Sequence, residues 1–223
     1  MSLHDVNTIA HPQGHVSTTV YDKGLIRGSI GLAIIALVGF GLLYPLAGVG
    51  LGQTLFPSTA NGSLIERDGK VLGSALVAQP FADDRYFQPR PSAADYDAMG
   101  VSGSNEARTN PELRQRIDES RAAVAQRNGV ALDAVPSDLV TQSGGGIDPH
   151  ISPQGAAVQI DRVARARGIA RDVVEGLVAQ QMEGKQLGLL GQPRVNVLEL
   201  NLALDAATSA EVNAPANGGG RAE

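Results

Sequence analysis

The sequence predicts a single N-terminal transmembrane helix followed by an α+β soluble domain, a small sheet with helices packed on one face. Three observations predict it. No charged side chain occurs from Gly28 to Ile65. Asp68-Gly69 stands between two apolar runs, the strongest short-range signal for a β-hairpin. Two later segments open on a capping residue followed by proline, Asn110-Pro111 and Ser152-Pro153, as helices do.

Within the uncharged stretch, Ile30 to Leu51 reads IGLAIIALVGFGLLYPLAGVGL. As a helix it would be roughly 33 Å long, enough to cross a hydrocarbon core about 30 Å thick. Lys23 and Arg27 precede it and no basic residue follows until Arg67, so the positive-inside rule puts the N-terminus in the cytoplasm and the remainder outside. A cleaved signal peptide is the competing reading, because Ser58-Thr59-Ala60 has a small-x-small pattern. The apolar run is too long for a signal core and its leading segment too long, which favours a retained anchor. Ser29, Ala33 and Ala36 recur at helical spacing, and Gly48 and Gly52 form a small-xxx-small pair beyond Pro45. Two readings of these small residues stand: a face for a partner helix, or the ordinary abundance of glycine in membrane helices. Pro45 should bend the span.

The expected organisation is a disordered cytoplasmic tail over 1–27, the transmembrane helix over 28–53, an extracytoplasmic domain over 54–205 and a disordered tail over 206–223. His4, His11 and His15 fall in the first tail and read as solvated. After the hairpin of residues 62–77, Asn110 caps a helix whose Leu113, Ile117 and Val124 share one face and which Gly129 closes. A second helix runs from Pro153 to about Arg167 with Gly168 as its stop. A third covers roughly Ala170 to Met182, with Val173, Val174, Leu177 and Val178 on its buried side. Val195 to Leu204 alternates over Leu198, Leu200, Leu202 and Leu204, which predicts a strand paired with the early hairpin.

Composition removes several functions. The net charge of −5 with no cluster of lysine and arginine gives nucleic acid no electrostatic footing. The lack of cysteine excludes disulfides, thiolate metal sites and thiol catalysis. Chemistry is first sought from Ser143 to Ser152, SGGGIDPHIS, where serine, aspartate and histidine lie together. A membrane-anchored hydrolase using Ser143, Asp148 and His150 is the alternative reading, but no Gly-x-Ser-x-Gly elbow presents a nucleophile. One histidine and one aspartate are too few for a zinc site. Ser143, Gly144, Gly145 and Gly146 offer backbone N–H groups to a phosphate, yet the Gly-Lys-Ser/Thr ending of a P-loop is missing. A tight turn locked by Asp148, Pro149 and His150 ahead of the helix after Ser152 is the favoured reading. No Asp-Lys-Thr-Gly phosphorylation motif and no Thr-Val-Gly-Tyr-Gly filter occurs.

Taken in order, several segments resemble the C subunit of the bacterial Kdp-type potassium-transporting ATPase. They are Tyr44-Pro45-Leu46, Ala60-Asn61-Gly62-Ser63-Leu64-Ile65, Tyr86-Phe87-Gln88-Pro89-Arg90-Pro91-Ser92-Ala93, Gly103-Ser104-Asn105 and Asn110-Pro111. The most specific are Pro136-Ser137-Asp138-Leu139-Val140-Thr141, Ser143-Gly144 through Asp148-Pro149-His150-Ile151-Ser152-Pro153, Arg194-Val195-Asn196-Val197-Leu198 and Leu200-Asn201-Leu202-Ala203-Leu204-Asp205. The resemblance spans roughly residues 28 to 205. It departs at Glu106-Ala107-Arg108, where the family usually has Leu-Gly-Pro, and in the glycine run, which lacks a second serine.

The resemblance implies a non-catalytic accessory subunit in the bacterial inner membrane. Its partners would be a potassium-channel-like A subunit, a P-type ATPase B subunit and a small F peptide, which together import potassium at the expense of ATP. ATP and potassium would be handled by the complex, with no cofactor held by this chain. The family is also credited with raising the ATP affinity of the B subunit, for which Ser143 to Gly146 is the candidate loop. A domain outside the membrane cannot touch a cytoplasmic nucleotide, so the topology favours assembly and the outer potassium entrance.

Overall fold

The computed structural model describes residues 22–213, and the chain divides into two compact units that meet after Pro57. The expected histidine-bearing tail lies outside the described residues up to position 21, as does the end of the chain from 214.

The first unit is one continuous helical rod. Helix α1 (Asp22–Val38) passes through a π-helical turn (Gly39–Leu43) into α2 (Tyr44–Leu55), and Gly24–Leu55 is long and apolar enough to cross a membrane. The helix begins at Asp22, inside the segment expected to be a structureless tail up to residue 27. The large apolar side chains are exposed, Phe40 and Tyr44 among them, as befits a helix solvated by lipid. The π turn immediately precedes Pro45 and carries a bond from the Tyr44 N–H to the Gly39 carbonyl. A proline removes one donor and crowds the turn before it, so widening that turn accommodates it.

The second unit begins with a short helical turn, α3 (Pro57–Ala60), and then the expected hairpin, β1 (Leu64–Arg67) with β2 (Lys70–Ser74). Asp68 and Gly69 both take positive φ, +53° and +71°, as a two-residue hairpin turn of this hand requires. The chain from Ala75 to Asn110 has no helix or strand. Helix α4 (Pro111–Asn128) follows, capped by the Asn110 side chain on the Glu112 N–H and closed by Gly129 at φ +67°. Its Leu113, Ile117 and Val124 are half-buried on the expected face.

Two helices stand where one was expected after Ser152. Helix α5 (Pro153–Ala157) and α6 (Ile160–Arg167) are separated at Val158-Gln159, and Gln159 is buried there. Helix α7 (Arg171–Gln180) buries Val174 and Val178. The sheet they pack on is three-stranded and antiparallel: β3 (His150–Ile151), β5 (Arg194–Asn196) and β4 (Met182–Glu183), with β5 central.

The end of the domain corrects the sequence reading. Residues 197–213 form helix α8 (Val197–Asn213), not a strand, and β5 pairs with β3 and β4, not with the hairpin. Asn196 decides the switch, because its Oδ1 accepts the Glu199 N–H at 3.2 Å and so caps the helix. Val197, Leu198, Leu200, Asn201 and Leu204 are the buried positions, a spacing that fits one face of a helix and that the alternating leucines concealed. The helix also runs through 206–213, where a structureless tail was expected to begin. The core gathers Phe87, Ile151, Ile160, Val163, Val195, Leu200 and Leu204 between these helices and the sheet.

Candidate functional site

The sheet register builds one polar and one apolar face. His150 lies opposite Asn196, and Glu183 opposite Arg194, so these four side chains share one face while Ile151, Val195 and Met182 take the other. Ile151 and Val195 enter the core. On the polar side an open cleft of about 540 Å³ is lined by Arg90, Asp138, Asp148, His150, Ser152 and Arg194.

Arg90 ties the cleft together. Its Nη1 donates to Asp148 Oδ2 at 3.0 Å, and its Nη2 reaches the carbonyls of Thr141 and Gln142, each at 3.4 Å. Asp148 Oδ1 accepts the His150 backbone N–H at 3.1 Å and lies 3.3 Å from the ring Nδ1. The other ring nitrogen, Nε2, is 4.0 Å from Glu183, which pairs with Arg194 at 2.7 Å. Asp138 accepts the Ser152 N–H at 2.7 Å, and the Ser152 hydroxyl in turn accepts the Gly155 N–H at 2.9 Å. A Cβ on Gly155 would come within 2.8 Å of Asp138, so the helix start and the acidic residue fit closely.

Burial works against the charge of Asp148, but hydrogen bonds from the ring and backbone N–H of His150 and from Arg90 outweigh it and hold its pKa at about 2, below the ordinary 3.8. A lowered carboxylate pKa gives stability that is fully present above 3.8 and is lost as pH falls through about 2. For this partly exposed group it is worth on the order of 1–2 kcal/mol. Asp148→Asn should therefore lower the unfolding free energy of the detergent-solubilised chain at pH 5, with the difference from the parent shrinking toward pH 2. Chemical denaturation across that range measures it.

The glycine run is a packed turn. The Ser92 hydroxyl donates to the Gly146 carbonyl at 2.6 Å while accepting the N–H groups of Ala94 and Tyr96. Ser143 donates its N–H to the Pro91 carbonyl, and Gly146 donates to Ser143. A Cβ on Gly146, at φ +74°, would lie 2.7 Å from the Ser102 carbonyl oxygen, and one on Gly103 would lie 2.6 Å from that of Gly144. Gly144 alone faces open space on its Cβ side and is exposed. Ser143 is buried, and among the described residues no hydrogen bond joins it to His150. The hydrolase trio is thus close in sequence without the contacts of a triad.

On the membrane helix, Ser29, Ala33 and Ala36 sit in α1, and Gly48 and Gly52 in α2. An uninterrupted α-helix would set the two groups about 100° apart, at 100° per residue. A π turn holds one extra residue and takes up roughly that angle, bringing all five small residues into one stripe about 60° wide.

Sequence reasoning missed Arg90, Asp138, Glu183 and Arg194 as partners of the Asp148–Ser152 segment, since the sheet brings in Glu183 and Arg194 and the packing of segments far apart in sequence brings in Arg90 and Asp138. Arg90 did carry a signal, standing between two prolines that hold the chain extended.

Comparison with known proteins decides the family. Residues 26–206 match the family described as K+-transporting ATPase, c chain. The chain belongs to this family. It is 57% identical over 195 residues to the potassium-transporting ATPase KdpC subunit of Xanthomonas oryzae pv. oryzae, covering 87% of this chain and 93% of that one. It is 56% identical over 169 residues to the KdpC subunit of Methylococcus capsulatus, covering 74% and 89%. That of Caldanaerobacter subterraneus is 45% identical over 180 residues, covering 80% and 93%. The family match extends from within the apolar helix into α8, so its bounds take in the Arg90–Asp148 cleft and the glycine run together.

Proposed function

We propose that the chain is a non-catalytic accessory subunit of an ATP-driven potassium importer, anchored in the bacterial inner membrane with its N-terminus in the cytoplasm and its second unit outside. It assembles with a potassium-channel-like A subunit, a P-type ATPase B subunit and a small F peptide. The stripe of Ser29, Ala33, Ala36, Gly48 and Gly52 is its face for a partner helix, where small residues let backbones approach in lipid. The outer domain stabilises the assembly and covers or shapes the potassium entrance. The family match over both the apolar helix and the domain carries this reading. The interlocked charges of the Arg90–Asp148–His150 cleft suit a rigid surface better than a reacting centre. The family's attributed effect on ATP affinity would then be a coupling free energy passed through membrane helices, because the amides of Ser143 and Gly146 are already engaged within the protein.

Gentle detergent purification through an N-terminal tag tests the reading. Two much larger membrane proteins should co-purify, and protease added to intact spheroplasts should trim the second unit while leaving the tag. Recovery of the chain alone rejects the subunit role. A second unit cut only after lysis rejects the orientation.

A further inference from the structure

The membrane helix carries two polar groups that lipid cannot satisfy, and they lie one turn apart. The first is the hydroxyl of Tyr44, a residue 73% exposed whose side chain makes no hydrogen bond among the described residues. At roughly 1.5 Å per residue it stands about 10 Å inside the Leu51 end of the apolar run. Side chains on a helix lean toward its N-terminus, so the Tyr44 ring lies over the turn before it. Its hydroxyl is thereby carried toward the middle of the bilayer, away from the headgroup level where tyrosines serve as anchors.

The second group is a backbone carbonyl. The π turn joins the Tyr44 N–H to the Gly39 carbonyl. In that register the Phe40 carbonyl falls to Pro45, which has no N–H to give. Gly39 and Gly41 on either side leave it unscreened, since even a Cβ at either position would meet nothing within 4 Å. No water reaches this depth to take the place of the missing donor, and helices keep a proline inside a bilayer because a neighbouring helix satisfies the freed group.

We propose that the Tyr44 hydroxyl and the Phe40 carbonyl make a two-point polar contact with one transmembrane helix of another subunit, which presents a serine, threonine, asparagine or glutamine side chain at their depth. Such a side chain both donates and accepts. Its O–H or N–H donates to the Phe40 carbonyl, and its oxygen accepts the Tyr44 hydroxyl. Lipid or a purely aliphatic helix satisfies neither group, and an ionised side chain would bring a full charge into hydrocarbon. The inference rests on the subunit reading above and adds what the partner helix carries and at what depth.

The test uses the assembled complex. The parent chain and Tyr44→Phe, bearing different N-terminal tags, are produced together with the other subunits. Their ratio in the purified complex is compared with their ratio in the membranes. Removing the hydroxyl alone should deplete the variant about threefold, the size typical of a hydrogen bond between membrane helices. Tyr44→Leu, which loses the ring as well, should be depleted at least as far. Equal incorporation of Tyr44→Phe overturns the proposal, and a loss confined to Tyr44→Leu assigns the site to ring packing. The partner's chemistry is read by placing photoreactive p-benzoylphenylalanine at position 40 and sequencing the peptide it captures in the complex. That peptide should be an apolar spanning segment with a serine, threonine, asparagine or glutamine within one turn of the attachment point. Capture of a wholly apolar helix, or of a second copy of this chain, overturns the proposal. Failure of the parent chain to join any larger subunit indicts the subunit reading, while equal incorporation into a complete complex indicts the polar contact alone.

Discussion

Replacing Arg162 by methionine is expected to lower the stability of the outer domain by about 3–5 kcal/mol, the cost typical of removing one partner from a buried charged network. For a domain of this size that is a fall in Tm of roughly 10 °C or more. Arg162 is 4% exposed on α6 and spends its donors on four separate acceptors. Nε donates to Asn128 Oδ1 at 2.9 Å, Nη2 to Gln159 Oε1 at 2.8 Å, and Nη1 to the carbonyls of Asp84 and Tyr86. Burial, and the neighbouring charge of Arg127, pull its pKa down to about 10 against a smaller opposing effect of Asp84, so it stays charged at physiological pH. Methionine fills similar volume but takes a donor from acceptors on three separate segments, the buried Asn128 Oδ1 among them, and an acceptor left unmatched costs about 1–3 kcal/mol before relaxation. Lysine keeps the charge but not the planar fork, so Arg162→Lys should recover only part of the loss. Denaturant unfolding of the three chains in one detergent measures the order.

The sequence reading succeeded where local chemistry decides the structure. Asp68-Gly69, Asn110-Pro111, Gly129 and Ser152-Pro153 are turn and cap signals that act within a few residues, and each sits where it was expected. It failed at Asn196, where two local signals compete. The alternation of Leu198 to Leu204 reads as a strand, while Asn196 followed three residues later by Glu199 reads as a helix start. The cap bond and the burial of Val197, Leu200, Asn201 and Leu204 favour the helix. At the cleft, Asp148, His150 and Ser152 were legible as neighbours because they lie within five residues of one another, although His150 stands in strand β3 and not in the turn expected there. Arg90, Glu183 and Arg194 were not, since the register of β4 and β5 brings the last two together and side-chain amides from distant helices place the segment that carries Arg90. Arg162, Gln159 and Asn201 were least legible of all, because a polar residue on a helix is read as facing water unless its partners are known.

Asn201→Leu should cost about 3–5 kcal/mol, although the substitution adds apolar volume to an apolar core, because it orphans two buried backbone groups. The extended segment around Phe87 is buried without a neighbouring strand, and side-chain amides take the place of one. Asn201 accepts the Phe87 N–H at 2.8 Å and donates to the Phe87 carbonyl at 3.0 Å. Gln159 does the same for Gln88, at 2.8 and 3.2 Å. Phe87→Leu retains both backbone bonds and most of the packing, so it should cost less than Asn201→Leu, about 1–2 kcal/mol. If burial of apolar surface alone held the segment, the order would reverse. Gln159 joins the two networks, since the oxygen that accepts the Gln88 N–H also accepts Arg162 Nη2. Losses from Gln159→Met and Arg162→Met should therefore fall short of additivity by about 1 kcal/mol or more, whereas Asn201→Leu, which shares no acceptor with Arg162, should add more nearly in full. Arg90 lies two residues beyond Gln88, so the same amides that anchor the segment also fix where its guanidinium meets Asp148. Faster hydrogen exchange at the His150 amide, which Asp148 caps, should then accompany Asn201→Leu even where the domain remains folded.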